Sequence, residues 1–599
     1  MTPTFQQRLR ASFVYDRVVC RVIAAWCAFI AAILLFHTDF SDLAHAQNVA
    51  LWQLLLGVAG FFVLFSALSV LLHEYHADSW LLLFFATLCI LRWLLEFDGE
   101  KTASFLFVLA VIAVYTLFLV YFLRVNESLL SKWTPDKRTV IIFTALIGVV
   151  SCTVIAVITC LRYRTFSTPN FDFGLFCNMF HNMKETGLPL STSERDMLLS
   201  HFAVHVSPIY YLFLPFYFLF PSPMTLQIGQ AVVLAAGVIP VLLLARHHEL
   251  SPKTTLLVTA LYAFYPAISC GTFYDLHENC FLPICLLLTF LFYEKKKYIP
   301  MYISAIAVLA VKEDAAIYLL VFALYLLLSE KNWIHGLALS VMAVGYFGLC
   351  AYLMNRHGLG MMVNRFDNLI YDPNDGLLGA IKTALVNPGY LLTQLFSTGK
   401  GGWEKVVYAC QMLLPLGLLP FCAKKPSRWL LVTPILINLL TVYQYQYDIG
   451  FQYHFGITAF LIYATVKNLP ELELPTRKNL LAIATAATLC IYVFSVIPKL
   501  STYTTRWQNG RETYKQMDAF LEENVPDNAS VSASTFLVAH LADRDVIYET
   551  KYHENKTDVD YVVLDLRYES SFDTMQVYLD QNYTVSAELD GKITVLKKN

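Results

Sequence analysis

The sequence predicts an all-α polytopic membrane protein that carries a small α/β domain at its C-terminal end. Three observations predict it. The 599 residues are 57% hydrophobic and only 15% charged, whereas a soluble globular chain carries roughly 25% charged residues. The mean hydropathy is +0.53. Apolar runs near the ~20 residues needed to cross hydrocarbon recur along the chain, as at 50–72, 139–161 and 224–245, and they stop before residue 501.

The same numbers exclude several function classes. With 43 Lys and Arg against 45 Asp and Glu the net charge is −2, so no basic surface for nucleic acid is expected. There is no Walker loop, no G-x-G-x-x-G after a strand and no G-x-S-x-G, which leaves ATP hydrolysis, nicotinamide chemistry and triad hydrolysis without support. The 13 cysteines are scattered without zinc-type spacing. They read as apolar packing residues, with a Cys270–Cys280 bridge across one short loop as the alternative.

Taken in order, Arg8, Arg10, Arg17 and Arg21 precede the first apolar stretch, and no small-residue cleavage site follows in Phe36-His37-Thr38-Asp39. The first span is therefore expected to be retained. Spans are predicted near 20–37, 50–72, 80–96 and 104–124, a four-helix N-terminal module over 1–138. The core, 139–500, follows with spans near 139–161, 224–245, 254–270, 279–293, 298–311, 315–329, 333–354, 403–422, 427–445, 455–467 and 479–498. That is about fifteen spans.

The stretch from His201 to Phe220 decides the topology. If it does not cross, five basic connections fall on the side of the Arg-rich N-terminus: 124–138, 246–253, 294–297, 423–428 and 467–478. The positive-inside rule makes that side cytoplasmic. Pro208 and Pro215 interrupt this aromatic-rich stretch, and Pro221 and Pro223 follow it, which suits short interfacial helices better than a straight span. The N-terminus is thus expected inside a plasma (inner) membrane and the C-terminal domain outside.

Residues 501–599 form that domain. Acidic residues outnumber basic ones there, and a helical stretch (510–523) precedes strand patterns at 529–534, 545–549, 561–564, 584–587 and 592–596.

With this topology the acids and imidazoles gather on the outer side: Asp172, His201, His205, Asp275, His277, Glu278, Glu313, Asp314, Asp448 and His454. Ionisable groups near hydrocarbon cost on the order of 2–3 kcal/mol each, so a one-sided cluster suggests a site. In Phe171-Asp172-Phe173-Gly174, Asp172 reads either as a general base or as the N-cap of an interfacial helix. His201 and His205, four apart, fit a metal pair or hydrogen bonding to phosphate or sugar. Asp275, His277 and Glu278 share one short loop, which is either beside the site or a solvated turn. Lys312-Glu313-Asp314 is either a tight hairpin in water or a source of substrate contacts. Tyr453 and His454 open the next-to-last span, where an aromatic belt is expected in any case.

The order of these motifs is recognisable. Phe171-Asp172-Phe173-Gly174, His201 to Pro208, Phe220 to Met224, Tyr274 to Glu278, Val311 to Ala315, Gln452 to Phe455, Ser530 to Ser534 and Asp560 to Asp565 together resemble a bacterial family of predicted polytopic membrane proteins. That family is in turn similar to the GT-C glycosyltransferases, the class of protein O-mannosyltransferases and aminoarabinose transferases. The resemblance implies a GT-C-like core over 139–500 with juxtamembrane helices along the outer face. It implies inverting sugar transfer from a polyprenyl-phosphate donor, a lipid-linked sugar, to a cell-envelope glycan, lipid or protein acceptor.

In that reading Asp172 takes the acceptor's proton, and His201, His205 or Lys312 stabilises the departing phosphate. Asp275, His277, Glu278, Glu313, Asp314, Tyr453 and His454 complete the substrate-binding set. Metal-dependent GT-C members carry paired acidic motifs; Asp172 has no acidic neighbour, which argues against a divalent cation, and no cofactor is expected. Two rival readings remain: a transporter or flippase of lipid-linked glycans, which calls for internal repeats, and a non-catalytic envelope scaffold working through residues 501–599.

Overall fold

The computed structural model describes residues 5–599 except 73–75, 98, 361–363, 398–401 and 554–555. Among the described residues eight helices are long and apolar enough to cross a membrane: Tyr15–Leu34, Leu51–Leu71, Ala77–Glu96, Ala103–Val125, Lys137–Arg164, Pro223–His247, Trp333–His357 and Leu474–Asn524. In the first module, Arg21 is fully buried and donates to both oxygens of Asp78 at 2.9 and 3.1 Å, with its other N–H groups on Ser12, Ser66 and Ser69. A buried guanidinium is tolerated only when its donors are engaged in this way.

The core uses shorter pieces than the hydropathy pattern implies. The run expected at 427–445 is broken into a 3-10 turn, Pro426–Leu431, a five-residue helix, Ile435–Leu439, and a second turn, Gln444–Tyr447. The run expected at 403–422 is a helix, Trp403–Leu413, followed by turns at Leu414–Leu416 and Leu419–Phe421. Pro415, Pro420, Pro426 and Pro434 sit at these breaks, and proline cannot donate the hydrogen bond that continues a helix. In Phe455–Asn468 every residue is buried, so this helix is the central post of the core.

His201 to Phe220 folds as two 3-10 turns, His201–Ala203 and Pro208–Leu212, and a six-residue helix, Leu214–Leu219. None is long enough to span. The basic connections after it accordingly meet the one before it. Lys478 pairs with Glu127 at 2.5 Å, Lys467 with Glu294 at 2.6 Å, and Arg428 with Glu471 at 2.7 Å. His247 and His248 approach Glu294 at 3.8 and 3.9 Å, and Arg246 donates to the Lys137 carbonyl at 3.2 Å. All five connections therefore share one end of the molecule.

At the other end, helix Leu474–Ser495 continues into Ile497–Asn524 and leads to a five-stranded sheet. A two-stranded ribbon, β1 (Leu190–Ser191) and β2 (Leu199–Ser200), precedes it in the chain. The sheet strands are β3 (Val531–Ala533), β4 (Ile547–Glu549), β5 (Tyr561–Asp565), β6 (Tyr583–Leu589) and β7 (Ile593–Lys598), in the order β4-β3-β5-β7-β6. β3 runs parallel to β4 and β5, whereas β7 is antiparallel to β5 and β6. A helix, Ser570–Leu579, which the strand patterns of the sequence do not include, crosses between β5 and β6.

The carboxyl ends of the three parallel strands, where α/β domains usually hold a ligand, are occupied by the loop after helix Lys137–Arg164. Asn170 Nδ2 donates to Glu549 Oε2 at 2.8 Å and its backbone N–H to the Thr535 hydroxyl at 3.1 Å. Arg567 donates to the Phe166 carbonyl at 3.1 Å, and His540 stacks on Phe166 at 3.7 Å. Further along, Asn178 donates to the Arg544 carbonyl at 2.8 Å, and the Thr192 hydroxyl bonds both the N–H and the carbonyl of Ile547. Cys270 and Cys280 are buried free thiols, so the alternative bridge does not form.

Candidate functional site

Arg162 lies in the last turn of helix Lys137–Arg164, and Asn170–Gly174 then makes one wide π-type turn into helix Leu175–Thr186. The Phe171–Asp172 peptide is cis. Asp172 is not the N-cap of that helix: the capping position is Gly174, with no side-chain bond. Its carboxylate instead meets His277 Nε2 at 3.0 Å and keeps 25% of its exposure. Phe176, the second residue of the helix, sets its ring edge-on to both His277 and His201, at 5.4 and 5.5 Å.

The other acids are already matched. Asp275 lies at 3.2 Å from Arg162 and accepts from Gln227 at 2.9 Å. Burial pushes its carboxyl up, and Arg162 and Gln227 only partly oppose that. Glu278, 1% exposed, pairs with Lys312 at 3.2 Å and accepts from the Tyr210 hydroxyl at 2.6 Å. Burial raises that carboxyl too, but the Lys312 charge outweighs it and holds Glu278 well below the carboxylate range; burial lowers Lys312, and Glu278 in turn lifts it above its ordinary value.

Glu313 binds His205 Nδ1 at 2.9 Å through one oxygen and accepts the Val206 backbone N–H at 2.9 Å through the other. Burial and Lys312 push the His205 imidazole down, so it is neutral near pH 7. His201 turns to Glu194 at 3.3 Å. His201 and His205 do not share a helix face. Their rings stand 5.9 Å apart, each with its own carboxylate, so the metal-pair reading finds no geometry here. Among the described residues no group of three or more His, Cys, Asp or Glu side chains is arranged to hold a metal ion.

Two charges beside this cluster have no such partner among the described residues. Asp314 is exposed and makes neither hydrogen bond nor ion pair, and it senses the charges of Lys312, Glu313, His205 and Arg365. Arg365, a residue that sequence reasoning missed, has its carbonyl fixed by the Thr441 hydroxyl at 2.7 Å and the Val442 N–H at 3.1 Å. Its guanidinium lies over Tyr443 at 4.6 Å and Tyr453 at 5.0 Å.

From there a row of aromatic rings leads back to the acid. Tyr453 meets Tyr443 at 5.9 Å, Tyr443 meets Tyr445 at 5.1 Å, Tyr445 meets Phe451 at 4.6 Å and Phe451 meets Tyr274 at 4.8 Å. Tyr274 ends the row against His277 at 6.1 Å, the imidazole that holds Asp172. The aromatic density of 443–453 was the sequence signal for this wall. His454 does not join it: fully buried, it sets Nε2 on the Ala267 carbonyl at 2.6 Å.

The family description "Predicted membrane protein (DUF2079)" matches residues 162–594 of this chain. No curated protein matches it. Among solved structures, the cryo-EM structure of the arabinofuranosyltransferase AftD from mycobacteria is similar over 78% of this chain, at 12% identity and a TM-score of 0.44. The chain covers 40% of the length of AftD.

Proposed function

The chain belongs to the DUF2079 family of predicted membrane proteins, and from that premise we propose that it is a glycosyltransferase of GT-C type, acting at the outer face of a plasma membrane. The observation that carries the reading is Asp172. It is a part-exposed carboxylate, oriented by His277, at the end of the molecule opposite the basic connections. By the positive-inside rule the basic end faces the cytoplasm, which puts Asp172 and the sheet domain outside.

The donor is a polyprenyl-phosphate sugar, and the acceptor is a hydroxyl of an envelope glycan, lipid or protein. The acceptor oxygen attacks the anomeric carbon from the face opposite the phosphate. The new C–O bond forms as the bond to the phosphate oxygen breaks, and the prenyl phosphate leaves with that electron pair. Asp172 receives the acceptor's proton, and His277 holds the carboxylate in line. A membrane-borne donor needs no nucleotide-binding fold.

The test is transfer from radiolabelled polyprenyl-phosphate sugars in membranes containing the full chain. Asp172→Asn is expected to lower turnover by about 10²- to 10⁴-fold. Unchanged turnover removes Asp172 as the base.

A further inference from the structure

The charges of the cluster assign themselves by elimination. Lys312, His201, His205, His277 and Arg162 each face a carboxylate, so an added phosphate would compete with a partner already in place. Arg365 makes no side-chain hydrogen bond or ion pair among the described residues: its guanidinium lies over two tyrosine rings, and Asp314 is the acid that senses its charge. The two rings, at 83° to each other, hold the cation by their π faces and accept no hydrogen bond from it among the described residues, so its N–H groups can bind an oxyanion in bidentate fashion. The hydrogen bonds from Thr441 and Val442 to its carbonyl fix the main chain from which it extends.

The rings extend the argument. Tyr443, Tyr445, Phe451 and Tyr274 are each half-buried or exposed, and they connect Arg365 to the Asp172–His277 pair in steps of 4.6 to 6.1 Å. Ring-to-ring spacing of this kind offers successive apolar faces, on which the C–H face of a pyranose or furanose packs while its hydroxyls stay in water.

We propose that Arg365 is the anchor for a phosphate ester and that the ring row from Tyr443 to Tyr274 is the saccharide platform between that anchor and Asp172. This deepens the transferase reading and rests on it. It also replaces His201, His205 and Lys312 as the phosphate contacts: they belong to the scaffold that shapes the cluster.

The experiment uses the full chain in nanodiscs with three probes: a polyprenyl phosphate, the polyprenol of equal length, and inorganic phosphate. The wild type is expected to bind the prenyl phosphate about 10- to 100-fold more tightly than the prenol, the range for one charge-assisted bidentate contact. Arg365→Gln should erase that preference, and Arg365→Lys should keep part of it, which a merely structural arginine would not allow. In the unmodified protein, prenyl phosphate should also slow phenylglyoxal labelling of Arg365, read by peptide mass spectrometry, so the outcome does not depend on any variant folding.

If the wild type shows no preference for phosphate over prenol, the lipid-phosphate donor itself fails. If the wild type prefers the phosphate and Arg365→Gln still does, Arg365 is overturned while the transferase reading stands. Equal protection of Arg365 by inorganic phosphate supports a phosphate site but overturns the lipid-borne source.

Discussion

Replacing Asn170 by alanine tests whether the sheet domain governs the loop that carries Asp172. The Asn170 amide donates to Glu549 at 2.8 Å, and the two residues are 1% and 6% exposed. The substitution strips a buried carboxylate of that donor, a loss of about 1.5–3 kcal/mol for a hydrogen bond to a charged group. The Thr535, Arg567, Asn178 and Thr192 contacts remain, so the domain should stay docked and only the turn should open more often. At 1.4 kcal/mol per decade, amide exchange over 170–174 is expected to quicken roughly 10- to 100-fold, with 531–565 unchanged. Turnover should fall by about 10²-fold, the effect of misplacing a reacting group by an ångström. Glu549→Gln, which keeps a neutral acceptor, should lie between. Unchanged exchange over 170–174 refutes the coupling. Uniform loosening of the whole sheet would show that the contact holds the domain and not the turn.

Three further outcomes follow from the same geometry. In Gly174→Ala the new Cβ would sit 2.8 Å from Asn170 Oδ1 and 2.9 Å from Val538 Cγ1, which should cost about 1–3 kcal/mol and appear as a lower thermal midpoint and faster proteolysis of residues 501–599. Lys312→Met leaves Glu278 buried and uncompensated at 1% exposure, a loss of about 3–5 kcal/mol read as a collapsed monodisperse yield, and Lys312→Met with Glu278→Gln should recover most of it. The third is a pH effect at the domain seam. Asp543, 2.5 Å from His181, raises that imidazole above its ordinary 6.5, while His181 lowers Asp543 below 3.8. The raised imidazole contributes fully below 6.5 and fades as pH rises through its shifted value; the lowered carboxylate contributes above 3.8 and fades only in acid. Docking at this contact should thus be firmest between those limits and weaken above neutrality, by under about 1 kcal/mol because Asp543 is 73% exposed. Limited trypsin digestion at pH 6 and 8.5 reads it, and Asp543→Asn should remove most of the difference, leaving the weaker contribution of Asp545 at 3.6 Å from the other ring nitrogen.

Much of the architecture was legible because hydrocarbon imposes a simple length rule, and the tail strands announced themselves by alternation. The shared end of the basic connections followed from charge bias and from the prolines in 201–220, and ion pairs such as Lys478–Glu127 report it directly. What was not legible had physical reasons. The run 427–445 is apolar enough to span, but hydropathy does not weigh Pro426 and Pro434 as breaks. Asp172 carried the sequence signature of a cap, and only the distant loop holding His277 gives its carboxylate another partner. His454 looked like a site residue because an imidazole at a span end usually faces water, whereas here the Ala267 carbonyl takes it into the core. Arg365 lies in a polar stretch with no periodicity, and its meaning comes from tyrosines 78 and 88 positions later in the chain.

The last strand, β7, is not at the edge of its sheet but between β5 and β6. Residues 593–598 leave the ribosome after everything else in the sheet, yet without them β5 loses one of its two neighbours and β6 the strand it pairs with. Synthesis therefore imposes an order: the helices can form before this sheet closes, and β6 has no strand to pair with until these six residues are made.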